Sequence, residues 1–361
     1  MKKTIQEINE RILSGKAVAV TAEEIIDLVD KNGFEKTFAE VDVVTTGTFS
    51  PMCSTGVFLN FGHNDPPIKM NKTTLNGVAA YAGLAAVDAY LGAGELAEDY
   101  HGDDMYGGAH VIEALLKGEE IDLYATGAVT DCYPGKECSH KITLDSINEA
   151  IMFNPRNCYQ NYAAAVNGSD KTIYTYMGIL YPKFKNMNYA TSGQLSPLLN
   201  DPTYRTIGVG TKIFLGGAQG HIAWNGTQFK TAVERLENGI PVGPAATLSL
   251  IGDLKEMSAE YIQSAVFERY GVSIFVGMGL PIPLLDMDIL KGVCVRDEEI
   301  FTTIVDYSVP NLEKPTYGRI DYKSLKSGTV ELFGKKVRTA PMSSIPKARK
   351  IAQTLKEWIM A

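Results

Sequence analysis

Apolar residues at Ile5, Ile8 and Ile12 recur at helical spacing and predict an amphipathic N-terminal helix. Thr21-Ala22-Glu23-Glu24 has the form of a capping box, so a second helix is expected from there to a stop at Asn32-Gly33. Val41–Val44 and Gly56–Phe61 read as strands, and the alanine-rich stretch from about Leu75 to Leu91 reads as a helix. A Gly-punctuated segment, His101–His110, precedes a helix expected to end near Lys117-Gly118, after which an apolar run leads into Cys132. This alternation predicts an α/β fold, a mixed sheet core with flanking helices whose topology the pattern does not assign.

The β character strengthens from about Lys171 to Phe229, with strand-like runs at Thr172–Tyr176, Ile207–Gly210, Ile213–Leu215 and Ile222–Trp224 before an Asn225-Gly226 turn signal. Leu248–Ile251 and Val272–Val276 are buried-strand candidates in a second α/β portion. The chain closes on a predicted hairpin, Thr329–Phe333 and Val337–Thr339 about a Gly334-Lys335 turn. A helix follows whose apolar face is Ile345, Ala348, Ile351, Ala352, Leu355 and Ile359. No linker, repeat or low-complexity tract interrupts it, so residues 1–361 are expected to form one catalytic unit, with two lobes divided near 240 as the subdivision to consider.

Composition narrows the class. With 45% apolar and 21% charged residues in 361, the chain can bury a large core, and nothing in it reads as disordered. A net charge of −8, with basic residues scattered rather than striped, argues against nucleic acid or an anionic membrane surface and for small-molecule or protein partners. Met1-Lys2-Lys3 leads into helical polar and apolar spacing rather than a signal-peptide core, and no run of about 18 apolar residues occurs. Five cysteines, an odd number without a close pair, do not describe a disulfide scaffold. A cytoplasmic protein with free thiols is expected.

Two of those thiols stand out. Cys53 lies in Thr45-Thr46-Gly47-Thr48-Phe49-Ser50-Pro51-Met52-Cys53-Ser54-Thr55-Gly56 and Cys132 in Ala125-Thr126-Gly127-Ala128-Val129-Thr130-Asp131-Cys132-Tyr133-Pro134-Gly135. Each is in a turn-forming, small or polar setting after an apolar run, where a thiol can face a ligand, whereas Cys294 in Lys291–Val295 reads as packing. Cys132, Cys138, His140 and Cys158 contain a zinc-like set of donors, but the C-x5-C-x-H spacing lacks the usual knuckle, and no metal site is expected. All five histidines fall between His63 and His221, the span holding four of the cysteines, and can move protons or poise a thiolate. Arg156 and Lys141 are candidate anchors for a substrate carboxylate, with His63 and His140 added to the candidate substrate site. Dinucleotide, P-loop, nucleophile-elbow and zincin motifs are absent from the sequence, and no tightly bound cofactor is expected.

The Cys53 segment with Phe58-Leu59-Asn60-Phe61-Gly62-His63-Asn64-Asp65-Pro66-Pro67-Ile68-Lys69-Met70, and the Thr130–Pro134 turn, resemble the homocysteine-biosynthesis family, the L-aspartate semialdehyde sulfurtransferases. The likeness continues through Asn157–Tyr162, Ser196–Pro202 and Ile213–Gly220, and so covers most of the chain. It implies incorporation of sulfide-level sulfur into L-aspartate semialdehyde to give L-homocysteine, with two conserved cysteines matching Cys53 and Cys132. Cys132 would carry a persulfide and Cys53 would resolve the intermediate. Some archaeal members add CBS modules and work with a separate ferredoxin-like protein; this chain is expected to have neither module.

Replacing an aldehyde oxygen by sulfur leaves the oxidation level unchanged, so reaching a thiol requires two further electrons. Without a nicotinamide or flavin fingerprint, an external two-electron reductant is expected, with a ferredoxin-like electron donor as a candidate partner and a homo-oligomer compatible with the sequence. Two other readings stay open: a persulfide or sulfide carrier, and a metal or iron–sulfur module without turnover. The expected partners of the preferred reading are aspartate semialdehyde and sulfide, with neither nucleic acid nor membrane.

Overall fold

The computed structural model describes residues 2–98, 105–227 and 232–361. His101, the start of the Gly-punctuated segment and the Phe229 end of the β-rich stretch lie outside the described residues. The fold is α/β, with mixed sheets and helices packed on their faces.

The N-terminal expectations follow the local chemistry. Helix Ile5–Leu13 buries Ile8, and helix Glu24–Asn32 begins where the Glu24 carboxylate accepts from the Thr21 backbone N–H while Thr21 Oγ1 accepts from that of Glu24. It ends at Gly33, whose φ of 78° suits glycine. Asp42, 1% exposed, locks this region: its carboxylate accepts from Lys3, Arg11 and the Val18 backbone N–H at 3.1, 2.8 and 3.0 Å. Burial alone would raise its pKa, but these donors outweigh burial and hold the carboxyl below its ordinary value. A depressed carboxyl pKa stabilises the fold above the unfolded-state value of about 4 and loses that contribution as pH falls through the folded value. The melting temperature is therefore expected to drop as pH is lowered from about 5 toward 3, and Asp42→Asn should flatten that drop, as read by calorimetry.

Segment 75–91 departs from expectation. Leu75 ends strand Met70–Leu75, and Asn76-Gly77, with φ of 48° and 77°, turns the chain into strand Val78–Ala80; strand Asp88–Gly92 follows. The Asn-Gly hairpin signal outranks alanine's helix propensity here. Ile207–Gly210 also forms no strand.

The largest sheet has nine strands in the order 262–267, 271–279, 212–215, 218–224, 248–253, 149–157, 56–60 and 88–92, with Thr48–Pro51 pairing onto Gly271–Gly279. These pairings are antiparallel. A six-stranded sheet orders 316–321, 301–306, 163–166, 186–189, 335–341 and 329–332, with parallel pairs at Ala163–Val166 with Phe301–Asp306 and at Asn186–Tyr189 with Lys335–Pro341. Both sheets join strands from either side of residue 240. A four-stranded antiparallel sheet carries Ile121–Gly127 and Glu137–Ile142, the strands flanking the Cys132 turn. The predicted terminal hairpin forms, Thr329–Leu332 with Lys335–Pro341, and helix Ile345–Met360 buries Ala348, Ile351, Ala352 and Leu355 against the Thr48–Pro51 and Gly271–Gly279 strands. No helix of the described residues is long and apolar enough to cross a membrane.

Candidate active site

Where the nine-stranded sheet meets the six-stranded sheet and the 173–180 hairpin lies a cavity of about 330 Å³. Cys53 and Arg156 line it, with Tyr159, Tyr162, Tyr176 and Tyr270 as its aromatic walls. Among the described residues Arg156 is its sole formally charged lining residue, and no carboxylate faces it.

A hydrogen-bond chain ties the turn that carries Cys53 to the backbone at Arg156. The Met52 carbonyl accepts from the backbone N–H and hydroxyl of Thr55 at 3.0 and 2.7 Å, closing the turn that presents Cys53. Thr55 Oγ1 accepts from the Asn154 amide at 2.7 Å, and Asn154 Oδ1 accepts from the Arg156 backbone N–H at 2.8 Å. Thr55 and Asn154 are both buried, where their hydrogen bonds are shielded from water. Arg156 Nε donates to Thr227 Oγ1 at 3.0 Å.

The string Asn157-Cys158-Tyr159-Gln160-Asn161-Tyr162 is polar yet inside, and its Gln160 and Asn161 amides find carbonyls. Gln160 donates to Leu198 and Pro202, and Asn161 to Pro241 and Phe301. Cys158 and Asn161 take left-handed backbone, φ 50° and 63°, and these bends turn Tyr159 and Tyr162 toward the cavity. The two rings meet edge to face with centroids 5.0 Å apart. Beyond them the hydroxyls of Tyr162, Tyr176 and Tyr307 form a chain with spacings of 3.0 and 3.1 Å. Burial raises the pKa of all four phenols, that of Tyr159 to about 12 despite the opposing Arg156 guanidinium.

Cys158 also lines the cavity, but it is buried, its thiol lies 3.2 Å from the Met278 sulfur, and burial pushes its pKa well up. Cys294 is buried with its pKa pushed up to about 12. Neither environment favours a thiolate.

Cys132 is elsewhere. Thr130 and Tyr133 exchange backbone hydrogen bonds of 3.0 and 3.1 Å, which makes Asp131 and Cys132 the tip of a tight turn, with Cys132 exposed. Tyr133 stacks on His63, centroids 6.3 Å apart. His63 follows the Asn60 end of strand Gly56–Asn60, whereas Cys53 precedes its Gly56 end. The strand alone separates these ends by about 13 Å at some 3.3 Å per residue. Cys53 and Cys132 are both free thiols, and Cys132 is not among the residues that line the cavity.

Lys141 and His140 lie on strand Glu137–Ile142, both exposed. Lys141 pairs with Asp122 at 3.2 Å and Glu120 at 3.8 Å, and neither Lys141 nor His140 lines the cavity. Among the described residues no three His, Cys, Asp or Glu side chains are gathered to hold a metal, so Cys132, Cys138, His140 and Cys158 do not form one cluster. No described histidine lines the cavity. Sequence reasoning missed the tyrosines; the signal was Tyr159 and Tyr162 flanking buried amides in Asn157–Tyr162.

An accessible thiol and a guanidinium lining one tyrosine-walled cavity, on an α/β scaffold, define a cysteine-bearing enzyme. Comparison with known proteins gives the family. The chain belongs to the family described as homocysteine biosynthesis enzyme, sulfur-incorporation, whose model matches residues 17–361. It is 51% identical over 359 residues to the L-aspartate semialdehyde sulfurtransferase of Methanosarcina acetivorans, covering 99% of this chain and 69% of that one. It is 50% identical over 371 residues to the protein of the same name from Methanocaldococcus jannaschii, covering 99% and 70%. An uncharacterized protein of Methanothermobacter thermautotrophicus is 29% identical over 85% of this chain and 68% of its own. No solved structure matches. The chain is thus an enzyme of sulfur transfer in homocysteine biosynthesis.

Proposed function

We propose that this enzyme incorporates sulfide-level sulfur into L-aspartate semialdehyde to form L-homocysteine, with a cysteine persulfide as sulfur carrier and an external two-electron reductant. The observation that carries the reading is the cavity itself, with one guanidinium, no carboxylate among the described residues and an accessible thiol. Such a site suits a small substrate with a carboxylate at one end and an electrophilic carbonyl at the other. Arg156 pairs with the α-carboxylate and Cys53 works at the aldehyde end. The net reaction balances as aldehyde plus hydrogen sulfide plus two electrons and two protons, giving the thiol and water.

Cys132 carries the persulfide. Sulfide reaches that level by attacking a disulfide of Cys132, which releases a second thiol; once sulfur has added to the carbonyl, that thiol attacks the persulfide and regenerates the disulfide, and the external reductant supplies the two electrons and two protons that take the thioaldehyde to the thiol. Because Cys132 lies outside the cavity that Cys53 lines, sulfur passes between them through displacement of the 128–136 turn or from the turn of a second copy. A ferredoxin-like protein serves as electron donor at the exposed turn.

Purified protein incubated anaerobically with sulfide, aspartate semialdehyde and a low-potential reductant should yield homocysteine by mass spectrometry. Absence of product with every reductant, donor protein included, overturns the enzyme reading. A persulfide mass on Cys132 without product would instead support a sulfur carrier, a reading favoured by the exposed position of Cys132 outside the cavity.

A further inference from the structure

We propose that strand Glu137–Ile142 is the surface through which two copies of this chain pair, edge to edge about a two-fold axis at Ser139, joining their four-stranded sheets into one antiparallel sheet. The strand pairs with Ile121–Gly127 on one side, and among the described residues no strand lies on the other. An open strand edge carries unpaired backbone N–H and C=O groups, and folds protect such edges.

The outer edges of the two larger sheets are protected. Along Ile262–Phe267, Glu113 of helix Gly108–Leu116 accepts from the Ser264 backbone N–H at 2.8 Å. Tyr81 exchanges backbone hydrogen bonds with Tyr90 of strand Asp88–Gly92. Strand Thr316–Asp321 is interrupted by a register shift and by Gly318 at φ 83°, and Thr329–Leu332 is only four residues long. Strand Glu137–Ile142 has none of these devices. It runs for six residues in unbroken register without glycine or proline, with Glu137, Ser139, His140 and Lys141 exposed.

Two hydrogen bonds fix which backbone groups are free. Gly127 N–H donates to the Lys136 carbonyl at 2.7 Å, and Asn76 N–H donates to the Asp122 carbonyl at 2.9 Å. Odd-numbered residues of Ile121–Gly127 therefore bond toward Glu137–Ile142, and even-numbered ones toward Met70–Leu75. With Ala125 opposite Cys138 and Leu123 opposite His140, this engages the backbone of Cys138, His140 and Ile142. Glu137, Ser139 and Lys141 aim theirs outward. One antiparallel register with a second copy uses all three: Ser139 against Ser139, and Glu137 against Lys141 on both sides of the axis. A shift of one residue opposes groups that face inward, and a shift of two breaks both Glu–Lys pairs.

The side chains suit that register. Opposite charges directly across a strand pair attract, and the axis falls on serine, small enough to face its own copy. Lys141 has three N–H donors, so it keeps Asp122, at 3.2 Å, while reaching Glu137 of the second copy. The seam begins after the turn that carries Cys132, which stays exposed. None of these residues lines the cavity, so pairing is independent of the chemistry proposed above.

Sedimentation equilibrium of the full chain tests the seam. At micromolar concentration the wild type is expected at twice the 39.3 kDa of one chain. Ser139→Pro removes an outward N–H and spares the ladder to Ile121–Gly127, a place where an edge strand accepts proline. It is expected at the mass of one chain with its circular dichroism unchanged. Glu137→Lys and Lys141→Glu each oppose like charges, and each is expected to weaken association about tenfold or more. Mixed in equal amounts, they pair the lysines of one variant with the glutamates of the other, and the mixture should associate within about threefold of wild type. A wild type that sediments as one chain, a folded Ser139→Pro protein that stays at twice that mass, or a mixture no tighter than its components overturns the proposal. If Ser139→Pro does not fold, the mixture of charge variants decides.

Discussion

Cys53→Ser is expected to end homocysteine formation, by on the order of 10³-fold or more, while the protein stays folded. Serine keeps the shape of the turn, whose geometry depends on Met52, Thr55 and Asn154 rather than on the thiol. What it loses is the nucleophile, because an unassisted hydroxyl is barely ionised near neutrality and no described histidine or carboxylate lines the cavity to serve it as base. Cys53 is exposed, so the melting temperature should move by no more than a surface substitution allows, about 0.5 kcal/mol in stability. Cys132→Ser separates the two thiols: it should abolish persulfide loading, whereas Cys53→Ser, loaded from an external persulfide donor, should leave the persulfide stranded on Cys132. A Cys53→Ser protein that still turns over at more than a tenth of the wild-type rate would remove the cavity thiol from the mechanism.

The parts of this architecture that depend on local chemistry are legible in the sequence. The Thr21–Glu24 capping box, the Gly33 stop, the closing helix and the terminal hairpin each rest on contacts within a few residues, and each forms. Segment 75–91 misleads because its alanine content masks the Asn76-Gly77 turn, and the strand state is then sustained by the hairpin partner Met70–Leu75 and, for Asp88–Gly92, by the distant strand Gly56–Asn60. The site shows the same division. Both turns bearing Cys53 and Cys132 can be picked out, since glycine, serine and threonine around a cysteine are a local signal. Their separation cannot, since it depends on which sheet each turn caps. Nor can the grouping of Arg156 with Cys53 rather than with Lys141, which follows from the pairing of Glu149–Asn157 beside Gly56–Asn60. The tyrosines converge from Tyr159 to Tyr307, across both larger sheets, and no window of sequence contains that wall.

Gly47→Ala is expected to be among the most damaging small changes to the scaffold, with a loss of about 3 kcal/mol or more. A Cβ at residue 47 would lie 2.1 Å from the Ala348 carbonyl oxygen and 3.1 Å from the Ala352 backbone nitrogen, both in the closing helix. The obstruction is backbone, so no truncation of a neighbouring side chain relieves it. Neither element can easily retreat. Gly47 N–H donates to the Leu195 carbonyl at 2.9 Å, the Gly47 carbonyl accepts from Ser192 at 3.0 Å, and Thr46 exchanges hydrogen bonds with Leu280. On the helix side, Thr45 Oγ1 donates to the Ala352 carbonyl at 2.8 Å and Ser344 N–H donates to Phe49 at 2.9 Å. Pushing the helix outward would break these contacts and loosen Ile351 and Leu355 from Phe49 and Phe214. Calorimetry should show the melting temperature falling by roughly 5 °C or more, and an unchanged value would show that the helix does not sit this close. Because Thr48 and Ser50, immediately after Gly47, line the cavity that holds Cys53, the damage should also reach catalysis. At temperatures where the variant is still folded, kcat/KM should fall alongside stability, whereas Asp42→Asn, which acts on the distant N-terminal lock, should leave kcat/KM near wild type.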